Sequence, residues 1–266
     1  GLGDINANKN IAINALTCEK VTVVKHQNNS DFWIIVRIED SNTYHAYLLS
    51  NAGFNIVPVI TNIGIIHTGY SVGYLKGSSD GNYLAAATGG GSNNGVELFN
   101  FDNSTGILSN PITLSSDWSY GIEFSPNSKV LYTTRPPDIY QFDLLAGSPN
   151  NIISSIINLN SNADSYGLQL APDNKIYVAE YGVNSVGAIN NPNIIGLGCN
   201  YTASAVNLSS GFSRLGLPTF FSSIFVLTNT FNFNNPCFGD SAFFNFTNTS
   251  ADSVLWDFGD SNSVTN

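Results

Sequence analysis

The sequence predicts an all-β chain organised as a β-propeller of about four blades. Three observations carry this. Charged residues make up only 11% of the 266 residues, against 42% hydrophobic and 12% aromatic, where about 25% charged is usual for soluble domains. Asn, Ser, Thr and Gly supply the polar surface instead, and these residues favour turns over helix interiors. A strand–turn–strand pattern also recurs at intervals of 47 and 46 residues, from Ser79 to Pro126 and from Pro126 to Pro172. Two more apolar runs follow most copies, and four strands per repeat of about 45 residues is the signature of a propeller blade.

The repeats justify each blade in order. The clearest copies are residues 74–87, 122–133 and 168–179, with turns Ser78-Ser79-Asp80-Gly81, Ser125-Pro126-Asn127-Ser128 and Ala171-Pro172-Asp173-Asn174. Proline presets φ for a turn, and Asp, Asn and Gly tolerate the remaining angles. A diverged copy precedes them, with apolar runs 21–25 and 32–38 around the polar turn 26–31. Third strands are expected over 44–49, 96–101, 139–144 and 186–189, and fourth strands over 57–60, 112–114 and 152–159. Gly69-Tyr70-Ser71, Ser119-Tyr120-Gly121 and Ser165-Tyr166-Gly167 precede innermost strands, where small residues suit crowding toward an axis. Residues 10–14 read as the outer strand of a preceding blade, so the four blades are expected to belong to a larger ring.

Charge and composition exclude several functions. With a net charge of −10 and no basic run, the chain lacks the cations that neutralise phosphates, so neither nucleic acid nor an anionic membrane surface is an expected partner. No run approaches the roughly 20 apolar residues of a spanning helix, so no membrane insertion is expected. No signal peptide is visible, and without a single Met the sequence reads as part of a longer polypeptide. Cys18, Cys199 and Cys237 lack metal-ligand spacing. They read as buried small apolar residues, the alternative being one disulfide with an odd thiol.

No motif supplies chemistry. His26, His45 and His67 belong to no HxxxH or GxSxG context. Glu39 and Asp40, read as strand neighbours, would point to opposite faces and cannot converge on one bond. The run Gly89-Gly90-Gly91-Ser92-Asn93-Asn94-Gly95 lacks the Lys-Ser/Thr of a phosphate loop and reads as an inter-strand loop. Asp80 and Asp173 sit in turns where structural Ca²⁺ is conceivable, but neither belongs to a DxDxDG ladder. No cofactor or catalytic metal is expected. The candidate ligand-binding residues are Trp118, Tyr120, Tyr166 and Tyr70, with Tyr181 nearby in the pattern, because sugar sites combine exposed aromatic faces with Asn, Asp and Gln. The competing role for each ring is packing between blades. Trp118, flanked by Ser115-Ser116-Asp117 and Ser119, is the best candidate for an exposed one.

An ordered set of segments carries a resemblance. It includes Gly1-Leu2-Gly3-Asp4-Ile5, Asp31-Phe32-Trp33-Ile34-Ile35, Val96-Glu97-Leu98-Phe99-Asn100-Phe101-Asp102, Ile139-Tyr140-Gln141-Phe142-Asp143-Leu144 and Leu215-Gly216-Leu217-Pro218-Thr219-Phe220. The set resembles the propeller module of large Bacteroidetes surface proteins described as gliding motility-associated, which carry PKD domains and a type IX secretion sorting domain. In that family the stretch like Gly1-Leu2-Gly3-Asp4-Ile5 lies mid-propeller. After residue 227 the texture changes to a polar linker over 228–235. Residues 236–266 follow, where Val254-Leu255-Trp256-Asp257-Phe258-Gly259-Asp260 resembles the hallmark of a PKD-like β-sandwich, with Ser261 in place of the usual Gly. The sandwich is expected to be incomplete. The resemblance implies export to the cell surface, adhesion, and an extracellular polysaccharide or another surface component as partner. The expected function is therefore non-catalytic binding. The alternative is a propeller enzyme, a lactonase-like hydrolase or polysaccharide lyase, which a cluster of His and carboxylates at the central channel would favour.

Overall fold

The computed structural model describes residues 12–14, 16–69, 71–159 and 163–221, together with the backbone of four short strands between 231 and 265. Unit one, residues 1–225, holds four antiparallel sheets arranged as the blades of a β-propeller. Blade I comprises β1 (Thr17–Lys25), β2 (Phe32–Ile38), β3 (Thr43–Ser50), β4 (Gly53–Phe54) and β5 (Val59–Asn62). Blade II comprises β6 (Leu75–Gly77), β7 (Tyr83–Thr88), β8 (Gly95–Asp102) and β9 (Ile107–Ser115). Blade III comprises β10 (Ile122–Phe124), β11 (Val130–Arg135), β12 (Asp138–Asp143), helix α1 (Pro149–Ser154) and β13 (Ile157–Asn158). Blade IV comprises β14 (Ser165–Leu170), β15 (Ile176–Glu180), β16 (Ser185–Ile189) and β17 (Tyr201–Asn207). Strand order follows sequence order in blades II to IV, each a meander, and along β1–β4 of blade I, where β5 returns to pair with β3.

The first turn of each blade explains why the repeat is visible. Ser78 Oγ accepts from Tyr83 N at 2.9 Å and donates to Asp80 Oδ1 at 2.6 Å. Ser125 Oγ accepts from Val130 N at 2.9 Å and donates to Asn127 Oδ1 at 2.7 Å. Asp173 Oδ1 accepts from Lys175 N in blade IV, where Ala171 replaces the serine. At the equivalent fourth residue of the turn Asn29, Gly81, Ser128 and Asn174 all have left-handed φ, between 60° and 75°, which Gly and Asn reach at least cost. Asn29 thereby identifies blade I as the diverged copy.

Core packing is face to face. β7 turns Leu84 and Ala86 toward blade I, against Trp33, Ile35 and Tyr44, and turns Ala85 and Ala87 toward blade III, against Ile122, Phe124 and Phe142. Between blades III and IV lie Tyr132, Ile139, Leu168, Ile176 and Val178. Inner blades are buried on both faces, so their strands are near-continuous apolar runs rather than alternating ones. Each fully buried Leu, Ile or Phe contributes roughly 1.5–3 kcal/mol.

Several expectations need correction. Residues 152–159 do not form one strand. Ser148 caps α1 by accepting from Asn151 N, Pro149 starts the helix, and the strand is only Ile157–Asn158. The fourth strand of blade I is displaced to Val59–Asn62 and pairs with β3 beside the short β4. The fourth strand of blade II runs over Ile107–Ser115, well beyond 112–114, with Pro111 tolerated on the edge. Blade IV has a fourth strand, β17, which is exposed along nearly its whole length and so carries no apolar signal. Glu39 and Asp40 lie in the turn after β2, not on a strand. Residues 12–14 are not in a strand, and 10–11 lie outside the described residues. Cys199 is buried, Cys18 is partly buried, and both are free thiols; Cys237 lies outside the described residues.

Unit two, residues 226–266, is described only through two strand pairs. β18 (Phe231–Asn234) pairs with β19 (Phe243–Phe246), and β20 (Leu255–Asp257) pairs with β21 (Ser263–Thr265). The expected linker 228–235 thus contains a strand.

Candidate functional site

In a meander, successive connections alternate between the two ends of a sheet. The loop entering each innermost strand therefore shares an end with the hairpin joining the second and third strands. This places residues 89–94, 116–121, 135–138, 163–166 and 181–184 on one face of the propeller, and the Ser/Asp turns on the other.

On that face four rings meet. Trp118 lies parallel to Tyr120, with centroids 6.2 Å apart and planes at 13°. Tyr166 stands nearly perpendicular to both, at 6.4 Å and 84° from Trp118 and at 5.6 Å and 77° from Tyr120. Tyr181 extends the group from Tyr166 at 5.9 Å. The result is an aromatic corner, two parallel plates and an upright wall, in the edge-to-face geometry that ring quadrupoles favour. Trp118 is 37% exposed and Tyr181 44%, while Tyr120 and Tyr166 are half-buried. The structure thus brings together Trp118, Tyr120 and Tyr166, three of the four residues the sequence singles out. Tyr70 lies outside the described residues.

Backbone fixes the corner across three blades. Tyr74 N donates to Tyr120 O at 2.8 Å, Tyr120 N to Thr134 O at 3.1 Å, and Thr134 Oγ1 to Tyr166 O at 2.8 Å. A Cβ on Gly121 would stand 2.1 Å from Tyr166 O, and one on Gly89 would stand 2.5 Å from the Trp118 indole. Both glycines permit close approach, so the glycine-rich run is part of the ring seat as well as a loop. Burial pushes the Tyr166 hydroxyl pKa up, helped by Asp164 and Tyr181. The Tyr166 phenol therefore stays a neutral hydrogen-bonding group at physiological pH.

Polar groups frame the rings. Arg135 forms an ion pair with Asp117 and lies 4.4 Å over the Tyr140 ring. Arg214 lies 5.9 Å over Tyr181, held there because Gly182 N donates to Ser213 O and Ser213 N to Val183 O. Sequence reasoning did not select Asp117, Asp164 or Arg214 as binding groups, because they reach the rings only through loop geometry. Asp117 flanking Trp118 was the one readable signal.

Two other polar clusters are buried. At the axis Lys76, Glu123 and Gln169 stand at equivalent repeat positions, three residues before Ser79, Pro126 and Pro172. Lys76 Nζ lies 3.0 Å from Glu123 Oε2 and donates to Gln169 Oε1 at 2.7 Å. Glu123 also accepts from Leu170 N and Phe124 N. A cavity of about 350 Å³ beside them is lined by Glu19, Thr22, Tyr74, Lys76, Phe220 and Phe221, among others. Phe221 meets Phe32 of blade I at 5.5 Å, and Phe220 N donates to Gln169 Oε1, so residues 220–221 bridge blades IV and I.

The second cluster lies between blades I and II. His67 Nε2 is 3.2 Å from Glu97 Oε2, Ile65 N donates to Glu97 Oε1, and Arg37 Nη2 donates to Ser41 O and Ile65 O. His26 and His45 are elsewhere, at the blade I turn and on β3. Asp80 and Asp173 serve their turns. Among the described residues no group of three His, Cys, Asp or Glu is placed to hold a metal ion, and no helix is long and apolar enough to cross a membrane.

No family model and no curated protein matches the chain. Among solved structures it is similar to virginiamycin B lyase from Staphylococcus aureus, at 18% identity and a TM-score of 0.41 over 65% of this chain and 52% of that one. A provisionally assigned TolB from Agrobacterium tumefaciens gives 20% identity and 0.44 over 64% and 57%. A provisionally assigned 6-phosphogluconolactonase from Bacteroides uniformis gives 16% and 0.47 over 71% and 55%. The chain thus spans about half the length of these structures. What places it among β-propellers is its own array of four meandering sheets packed face to face.

Proposed function

We propose that the chain is a non-catalytic, extracellular carbohydrate-binding module of a cell-surface protein, with Trp118, Tyr120, Tyr166 and Tyr181 as its sugar platform. The observation that carries this reading is the partly exposed aromatic corner. Its rings come from three loops on one face, with Asp and Arg side chains around them. A pyranose presents a C–H face and a rim of hydroxyls, which matches an aromatic plate framed by polar groups. The resemblance to exported surface proteins supports the location and an adhesive role.

The enzyme reading would draw on Glu97 and His67. Both are about 2% exposed, and His67 Nε2 faces Glu97. A substrate would have to open the blade I–II interface to reach them, so binding is favoured.

The test is binding of the full chain to an array of neutral and acidic polysaccharides, repeated with Trp118→Ala. Loss of one plate removes about 1–3 kcal/mol of stacking and burial, so affinity is expected to fall roughly fivefold or more, with unchanged far-UV circular dichroism. Binding unaffected by Trp118→Ala would remove the platform from the account. Turnover of any bound glycan would revive the enzyme.

A further inference from the structure

Resting on the carbohydrate-binding reading, we infer that the aromatic corner takes an uncharged, hydroxyl-rich glycan and rejects uronate or sulfated polymers, with Asp164 and Asp117 as hydroxyl acceptors. Donor–acceptor matching at the rings sets this preference. Asp117 follows Ser116 into the Trp118 loop, and its side chain is 66% exposed. Asp164 is exposed, stands two residues before Tyr166, and its backbone carbonyl accepts from Tyr181 N at 2.8 Å, which fixes it between the two rings' attachment points. An ionised carboxylate can only accept hydrogen bonds. Sugar hydroxyls donate to it, whereas a uronate or sulfate is itself acceptor-only and adds like-charge repulsion.

Cations do not offset this. Arg135 is committed to Asp117 and to the Tyr140 ring. Arg214 is, among the described residues, the one exposed cation over the rings. Lys25, Lys129 and Lys175 sit at or beside the Ser/Asp turns, on the opposite face. Lys20 and Lys76 are buried. With Asp117 Oδ2 taken by Arg135 and Ser115 Oγ, a polyanion at the rings would meet Asp164 against the one arginine, Arg214, on a chain of net charge −10, while the second Asp117 oxygen still accepts from hydroxyls. A neutral chain meets acceptors from Asp117 and Asp164, a donor from Arg214, and plates for its C–H face. The near-perpendicular Tyr166 wall limits the platform to a short stretch of sugar rather than a long flat ribbon.

The test compares polygalacturonate with the same polymer after carboxyl reduction, beside a panel of neutral polysaccharides including a β-glucan and a mannan. Affinity electrophoresis of the full chain is the readout. Carboxyl reduction removes the charge and adds hydroxyl donors while keeping the backbone. Neutral polymers, the reduced one among them, are expected to bind at least about tenfold more tightly than the acidic parent, and adding salt should not weaken them. Asp164→Asn, whose backbone carbonyl still receives Tyr181 N, is expected to weaken neutral binding several-fold and to narrow the preference. Acidic polymers binding as tightly as neutral ones would overturn the inference and leave the carbohydrate-binding reading standing. If no polymer in either class binds, both fall.

Discussion

Glu123→Ala is expected to destabilise the propeller by about 3–5 kcal/mol, because it strips the partner from a buried cation. The Lys76 and Glu123 side chains are 6% and 0% exposed and lie 3.0 Å apart. Alanine at 123 would leave Lys76 with Gln169 Oε1 as its neutral partner and would deprive Leu170 N and Phe124 N of their acceptor. Buried donors without acceptors cost about 1–3 kcal/mol each. Those amides separate charge from geometry. Lys76→Met with Glu123→Leu removes both charges but still orphans the amides, so it should recover only part of the loss. Urea unfolding measures both variants. A single variant within about 1 kcal/mol of the parent would mean that water reaches the pair and the axis is not sealed.

The second large effect is a stability that rises with pH in a mildly alkaline window. Lys20 is 1% exposed, and its ammonium points at Val72 O (2.9 Å), Gly73 O (3.1 Å) and Ser71 O (3.5 Å). Burial pulls its pKa from 10.5 down to about 8; Cys18 and Glu19 push the other way, and Arg37 adds to the fall. The folded chain therefore releases this proton near pH 8 and the unfolded chain near 10.5. Between those values the unfolded state holds more protons, so stability increases with pH. Below pH 8 both states are charged and the full burial cost is present. The gain is roughly 3 kcal/mol across the window. Cys199 opposes it from its ordinary value of 9.0, and Tyr44, Tyr132 and Tyr201 from theirs of 10.0. Burial raises all four, so in the folded chain they stay neutral while the unfolded groups ionise, and stability is lost as pH rises further. The curve should therefore peak inside the window, below about pH 10. Lys20→Met should abolish the rise and leave the fall; parallel curves for the two proteins would show that Lys20 titrates as if exposed.

The blades were legible because their turns are chemically repetitive. An Asp or Asn followed by a left-handed residue recurs wherever the first two strands join, with a serine two positions before the Asp or Asn in blades II and III. Outer strands were less legible. β17 is exposed nearly throughout, and the pairs Ile152-Ile153 and Ile156-Ile157 make 152–159 read as strand until Ser148 and Pro149 are recognised as a helix start. The aromatic corner was half legible. Small-residue and aromatic stretches before the innermost strands marked Tyr120 and Tyr166, and Trp118 stood out by its polar neighbours. Their convergence was not, since residues 46 positions apart become neighbours only when consecutive blades pack. Lys76 and Glu123 hold equivalent repeat positions of opposite charge, but their pairing emerges only from the structure. The His67–Glu97 pair had no such signal, because it joins a loop to a third strand.

The account rests on the corner being where ligand binds, and backbone amide shifts of the full chain, titrated with the glycan that binds most tightly, test this most directly. Perturbations are expected in 117–121, 164–167, 181–184 and 213–215, including the Trp118 indole N–H. Shifts confined to the Ser/Asp turns around 78–82 and 125–129, on the opposite face, would contradict the account, whatever the affinity measured.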